Sequence, residues 1–483
     1  MTNGVEKMEK NDEHSNVLTI RAQYLDEPTL EFADEREHVD PKLGISRFGP
    51  KSYSPRRRHP AQIRIGFIGS AETIAATRTW LENAAEGVAG DEKHPEFPGC
   101  MIDRGFMSQL EFDSDWNAQL FQEEIRKDLD IHRSRDRFES LLGLLEQKLN
   151  LLSKKDQPLE CVIVALPDSL YRKCRVTNYK DRHLGDVHRD LRRAFKSIAM
   201  KYRLPTQFVR QQTIDGREKD LPSKVAWNFF TGLYFKAGGF PWGPTGLTPG
   251  TCYVGIGFYR SLGSTIATMR TSLVQAFDEH GEGLVLRGPE FNWDSEKAGT
   301  KSPHLDEDRA ATLMTLVLDR YQKEMNQTPQ RVVVHKSSRY WPDEKEGFRK
   351  ALRNRVNQFD LVSLDTRQSV ARLITPSLYP PLRGTRFTIG DVDYLYTTGF
   401  IAELGQFHSL HVPSPIKITD HIGQDTDRET LLKEILVLTK MNWNSARLGG
   451  KSPITLRFSD LVGEIMREIP PDRDPLPQYK FYM

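Results

Sequence analysis

Short, nearly unbroken apolar runs recur along this chain, each followed by a segment whose apolar residues return at helical spacing. That alternation constrains the fold more than any other feature. IRIGFIGS from Ile63, CVIVALP from Cys161, TCYVGIGFYR from Thr251 and QRVVVHK from Gln330 have the length and continuity of buried strands. AETIAATRTWLENAAEG, VHRDLRRAFKSIAMKY, SKVAWNFFTGLYFKAGG, DEDRAATLMTLVLDRYQKEM and EKEGFRKALRNRV read as helices. The pattern predicts an α/β fold. No apolar run is long enough to cross a bilayer, and the polar start MTNGVEKMEKNDEHSN lacks the basic-then-apolar order of a signal peptide.

Composition shifts divide the chain into residues 1–60, 61–240 and 241–483. The first is an uneven N-terminal extension with a weak strand, VLTIRAQYL, and a turn-rich stretch carrying Arg56, Arg57 and Arg58. In the second, Ser70 suits an N-cap after the strand from Ile63, a long helix is expected over 117–151, and PTQFVRQQT reads as a strand. Gly66 and Gly69 match only the last two glycines of a dinucleotide-binding fingerprint, with Arg64 where the first belongs. The Gly/Pro-rich bridge GGFPWGPTGLTPG opens the third part. There STIATMRTSLVQAF, GEGLVLRG, QFDLVSLD, VARLI, RFTIG and DYLYTTG read as strands, and LLKEILVLTKMN and FSDLVGEIMREI as closing helices. Several early strands followed by a strand–helix–strand unit resemble a ribonuclease-H-like layout, although periodicity alone says only mixed α/β.

Lys and Arg number 68 against 66 Asp and Glu, a balance that excludes a polycation and leaves open a locally charged nucleic-acid channel. Cys100, Cys161, Cys174 and Cys252 lack metal-ligand spacing and read as cysteines of a cytoplasmic protein. Arg192 and Lys196 stand four residues apart on one helix, Gln207 follows at the start of the next strand, and Lys236 ends the next helix. Converging at a sheet edge, such cations and an amide would grip a terminal phosphate. The spacing fits ordinary surface charges on an amphipathic helix as well, and a cation near a helix C-terminus is favourable for its own sake.

Arg192-x3-Lys196, then Thr206-Gln207, then LYFKAGGFPW resembles the MID domain of Argonaute proteins. TCYVGIGFYR, QRVVVHKSSRYWPDEKEGF, LHVPSPIKI, LLKEILVLTKMNWNS and PITLRFSDLVGEI resemble a PIWI domain, so the likeness runs from about residue 60 to 483. The length leaves no room for N-terminal and PAZ domains and is similar to that of a short prokaryotic Argonaute, with a Rossmann-like MID domain and a ribonuclease-H-like PIWI domain. The resemblance implies that Arg192, Lys196, Gln207 and Lys236 hold a guide's 5′ phosphate. It also implies that Mg²⁺ can bridge that phosphate and the Met483 carboxylate. Further guide or target contacts are expected at Tyr171, Lys173, Arg175, Arg260, Lys336, Arg339 and Arg447, and Trp242 is either a stacking residue or a core and hinge residue.

Slicing needs converging carboxylates around two metal ions. The family's catalytic positions align with Gly257, Lys336 and Pro415, none of which can serve as such a ligand. Asp365, Asp391 or Asp393 would reach the site only in a shifted register. The resemblance therefore implies a catalytically inactive PIWI domain that uses guide RNA to recognise single-stranded target DNA. It implies a heterodimer with an APAZ-domain protein fused to a TIR, Sir2 or nuclease effector, in which enzymatic activity resides, acting in abortive antiplasmid or antiphage defence. The alternatives are a metal-dependent ribonuclease-H-like nuclease and a scaffold that binds no guide.

Overall fold

The computed structural model describes residues 20–55, 57–92, 94–183, 185–262, 268–276, 283–367, 369, 371–374, 380–405, 407, 412–423 and 426–483. Arg56, Val370 and the polar start of the chain lie outside them. The first half is built on a five-stranded parallel sheet. Thr206–Phe208 is its edge, followed by Cys161–Ala165 and Gln62–Gly69; Gln109–Glu111 and Asn117–Gln119 both pair with Gln62–Gly69. Cys161–Ala165 is buried along its whole length, as its unbroken apolar run demands. Ser70 caps the helix Ala71–Ala85 by accepting from Thr73 N at 3.2 Å.

Three local expectations are corrected. Residues 117–151 are not one helix: they form the strand Asn117–Gln119 and the helices Gln122–Leu129 and Ser134–Leu152. Pairing with Gln62–Gly69 draws the first three residues into the sheet, a tertiary demand that overrides helical periodicity. The stretch from Val187 does not start as helix either. Gly185–Asp190 is a strand paired with Val176–Asp181, and the helix begins at Leu191, where the Asp190 carboxylate accepts from Arg192 N at 3.0 Å and Arg193 N at 3.2 Å. Residues 371–374, within VARLI, form no strand.

The second half carries a nine-stranded sheet. Its core is the order Leu284–Asn292, Thr268–Ala276, Thr251–Tyr259, Arg331–Lys336, Gln358–Asp365: an antiparallel meander continued by two parallel crossovers through the helices Glu307–Met325 and Pro342–Leu352. That is a ribonuclease-H-like arrangement. Ile416–Ile422, Val392–Leu395, Thr385–Ile389 and Ala22–Tyr24 extend it. Strand alternation splits the central side chains between two cores. Val254, Ile256, Val332 and Val334 pack with the crossover helices, while Tyr253, Val333, Val362 and Leu364 pack with Arg428–Leu438 and Ile454–Met466. The second of these cores also takes in Ile63, Phe67, Trp227 and Phe235, so one apolar body spans both halves.

At Gly255 the helix Ile454–Met466 touches the sheet so closely that an added Cβ would lie 2.1 Å from Thr455 O. Gly255→Ala is expected to destabilise the protein by about 3 kcal/mol, because neither backbone can yield cheaply. Thermal denaturation checks this, and an unchanged midpoint would refute the close contact.

Candidate phosphate-binding site

The helix Leu191–Ala199 works on two faces. Arg189 just before it, Arg193 and Ser197 meet the helix Ile454–Met466 and its end: Arg193 pairs with Glu464 at 2.5 Å, Arg189 with Glu468 at 2.9 Å, and Ser197 Oγ donates to Glu468 O at 3.4 Å. The adjacent face carries Arg192, exposed, and Lys196, buried. Lys196 Nζ donates to Thr206 O at 2.9 Å and to the main-chain oxygen of Met483. Gln207, in the edge strand, accepts from Lys236 Nζ at 2.7 Å through Oε1, and its Nε2 faces Phe229 O at 3.5 Å. The structure thus gathers Lys196, Gln207, Lys236 and Met483, residues far apart in sequence, at the amino end of one strand.

Three further residues border this cluster. Gly232, one turn before Lys236, keeps the approach open: a Cβ there would lie 3.6 Å from Lys236 Nζ, 3.7 Å from Gln207 Oε1 and 3.8 Å from Asn444 Oδ1. Sequence reasoning noticed the MNWNS segment that contains Asn444 without giving that side chain a role, since only the fold lays it over the helix. Lys480, half-buried, adds to the positive field around the Cys161 thiol, and its own pKa is lowered by burial and then by Arg58.

No Asp or Glu among the described residues pairs with Lys196 or Lys236, although both are almost fully buried. Burial, then the charges of Lys236 and Arg192, push Lys196 well below the usual lysine pKa. Burial, with a smaller push from Arg192, brings Lys236 down to about 8. Two buried ammonium groups, faced by no Asp or Glu side chain among the described residues and with the Met483 oxygen on Lys196 alone, could accept an added anion, which would relieve their desolvation penalty. Lys196 holds the Met483 main-chain oxygen and Thr206 O, and the Gln207 carboxamide faces Lys236.

Bound phosphate favours protonated lysine, so binding takes up a proton wherever Lys236 is neutral in the free protein. The Lys236 contribution to affinity for a 5′-phosphorylated strand is therefore expected to fall about tenfold per pH unit above pH 8. A 5′-hydroxyl strand serves as control. A flat profile to pH 9.5 would exclude Lys236 as a phosphate ligand.

Gly257 lies on the sheet face of Tyr253 and Tyr259. Lys336 projects from the opposite face, so the two do not meet. It is buried, with Nζ 2.5 and 2.7 Å from the two oxygens of Glu344. On the Gly257 face the neighbouring strand presents His335, held at 2.8 Å by Thr455 Oγ1. Pro415 is buried before Ile416–Ile422. Asp365 accepts from Arg367 N at 3.0 Å, Asp391 stands in the turn between Thr385–Ile389 and Val392–Leu395, and Asp393 pairs with Arg428 at 3.2 Å. Among the described residues no three His, Cys, Asp or Glu side chains come together as a metal-holding group.

Lys173, Arg175, Arg260, Arg339 and Arg447 are exposed, and Tyr171 is half-buried against the first-half core. Trp242 is fully buried, its indole donating to Lys440 O at 3.1 Å, which makes it a core residue. No helix among the described residues is long and apolar enough to cross a membrane.

No protein-family model and no curated relative matches this chain. Solved structures do. A Clostridium butyricum Argonaute bound to a guide DNA and a 19-mer target DNA superposes with a TM-score of 0.65 at 15% identity, over 95% of this chain and 54% of its own. The A. aeolicus Argonaute gives 0.58 at 16% identity over 95% and 55%, and Drosophila Piwi gives 0.57 at 13% over 96% and 56%. The chain spans about half the length of these proteins and has the fold of an Argonaute MID–PIWI unit.

Proposed function

We propose that this chain holds the 5′-phosphorylated end of a guide RNA and uses it to recognise single-stranded target DNA without cutting it. The observation that carries this reading is the cluster of Lys196, Lys236 and Gln207, two buried cations and a carboxamide converging with no Asp or Glu side chain among the described residues. It lies in a fold that the Clostridium butyricum protein uses while bound to guide and target DNA. Base pairing would supply sequence selectivity and the protein the backbone grip.

Binding without slicing is supported by the residues at the aligned positions. Gly257 and Pro415 carry no ligand atom, and on the Gly257 face the neighbouring strand presents His335, bonded to Thr455 Oγ1. On this reading the chain is a sensor subunit. Target recognition would activate an associated APAZ-domain protein whose TIR, Sir2 or nuclease effector carries the chemistry, in defence against plasmids or phage.

The test compares short RNA and DNA guides with 5′-phosphate or 5′-hydroxyl ends, then offers the loaded protein a complementary strand in Mg²⁺ or Mn²⁺. Retention of 5′-phosphorylated RNA, with the target bound and intact, is the expected result. Equal retention of both ends would overturn the pocket, and metal-dependent cleavage lost on substituting a carboxylate would establish the nuclease reading instead.

A further inference from the structure

We propose that Trp341 is a stacking platform for one unpaired nucleobase at the carboxyl end of the central strands of the nine-stranded sheet. Thr251–Tyr259 and Arg331–Lys336 run parallel with Ile256 opposite Lys336, so both finish at the same end of the sheet. Ligands of open α/β sheets gather at that end. Trp341 follows five residues after Lys336, and its side of the sheet is served by no residue of the phosphate pocket.

The indole is fixed with unusual thoroughness for a surface side chain. One face lies flat on the His304 ring, centroids 4.1 Å apart and planes 9° from parallel, and Trp293 forms a corner beside it at 5.5 Å and 55°. His304 Nδ1 is 3.0 Å from Glu344 Oε2 and 3.1 Å from Lys336 Nζ. The same carboxylate accepts from Trp341 N and from Leu305 N, each at 3.0 Å, so Glu344 positions both the indole's backbone and the ring beneath it. Lys336 in turn is flanked by the Phe258 and Tyr340 rings.

A buried cluster of this kind gives less stability than apolar residues of the same volume. What it provides here is an oriented ring. Trp341 is nonetheless 37% exposed, with one face on His304. A rigid, part-exposed indole can take a nucleobase of any identity, a contact worth about 1–3 kcal/mol. Arg339, exposed two residues earlier, can meet the adjoining phosphate. Lys345 on the first helical turn is offset by Asp343 and Glu346, so stacking rather than charge carries the contact.

This inference rests on the nucleic-acid reading above but not on the phosphate pocket, and the test separates them. Single-stranded oligonucleotides carrying 2-aminopurine at one position, with 5′-phosphate or 5′-hydroxyl ends, are titrated into the intact protein and into Trp341→Ala, Trp341→Phe and Trp341→Leu. Emission is expected to be quenched at one position in the wild type and Trp341→Phe. Trp341→Ala and Trp341→Leu should lose the quenching and bind about 5- to 100-fold more weakly, with an unchanged salt dependence. Leucine keeps the apolar contact with His304, so its result stands even if alanine impairs folding. Trp341-dependent quenching without a 5′-phosphate preference would sink the pocket and leave the platform. A 5′-phosphate preference with identical binding by wild type and Trp341→Leu would overturn the platform alone. Failure of every oligonucleotide to bind would overturn both.

Discussion

Replacing Lys236 by methionine is expected to stabilise the protein while removing most of its preference for 5′-phosphorylated strands. Methionine fills nearly the same volume at the end of the helix Pro222–Lys236 and brings no charge into a site where, among the described residues, the Gln207 carboxamide is the hydrogen-bond partner of Lys236. The desolvation cost of the cation disappears, a gain of about 1 kcal/mol. The phosphate, by contrast, loses a charge-assisted bond in a dry site, and affinity should fall about 100-fold. Opposite signs in the two measurements distinguish a binding residue from a structural one. Parallel loss of stability and binding, or binding that is unchanged, would remove Lys236 from the site.

The second large effect lies far from that site. Glu27 is buried between Arg383 at 2.7 Å and Lys440 at 2.8 Å, and Lys440 also donates to Pro28 O at 2.5 Å. This one carboxylate ties the early segment, whose strand Ala22–Tyr24 edges the large sheet, to the end of the helix Arg428–Leu438. Glu27→Gln should cost about 3–5 kcal/mol, because two buried cations are left without a counter-charge. Lys440→Met added to Glu27→Gln should recover part of the loss, and denaturant unfolding of both variants checks it. A loss under 1 kcal/mol would mean that the segment is held by its apolar contacts instead.

The pH dependence has a defined sign. Burial alone would raise the Glu27 pKa, but Arg383 and Lys440 outweigh it and hold the carboxyl below its ordinary value. Its contribution is therefore complete above the ordinary carboxylate range and is lost as pH falls through the depressed value of the folded state. Acid unfolding of the wild type should begin there, and Glu27→Gln should blunt that limb.

Much of the architecture was legible in the chain because buried parallel strands are written as unbroken apolar runs. Cys161–Ala165, Thr251–Tyr259 and Arg331–Lys336 stand where those runs place them. Errors fell where a polar stretch forms a strand by pairing, as at Gly185–Asp190, or where three residues join a sheet edge, as at Asn117–Gln119. Neither segment carries an apolar pattern of its own, so only the neighbouring strand determines its form.

The candidate phosphate site divides along the same line. Residue types and order placed Lys196, Gln207 and Lys236 as a set, but spacing describes a single helix face and cannot say whether an ammonium is solvated. The fold buries both lysines, leaves them without an Asp or Glu partner among the described residues, and brings in Met483, Asn444 and Lys480 from the end of the chain. Likewise the sequence put Lys336 in line with Gly257. The pleat of the sheet then turned their side chains to opposite faces and gave Lys336 to Glu344 and His304. Apolar periodicity is local and survives in the chain as written. The protonation state of a lysine and the partner of a carboxylate depend on which distant residues exclude water from them, and only the packed structure decides that.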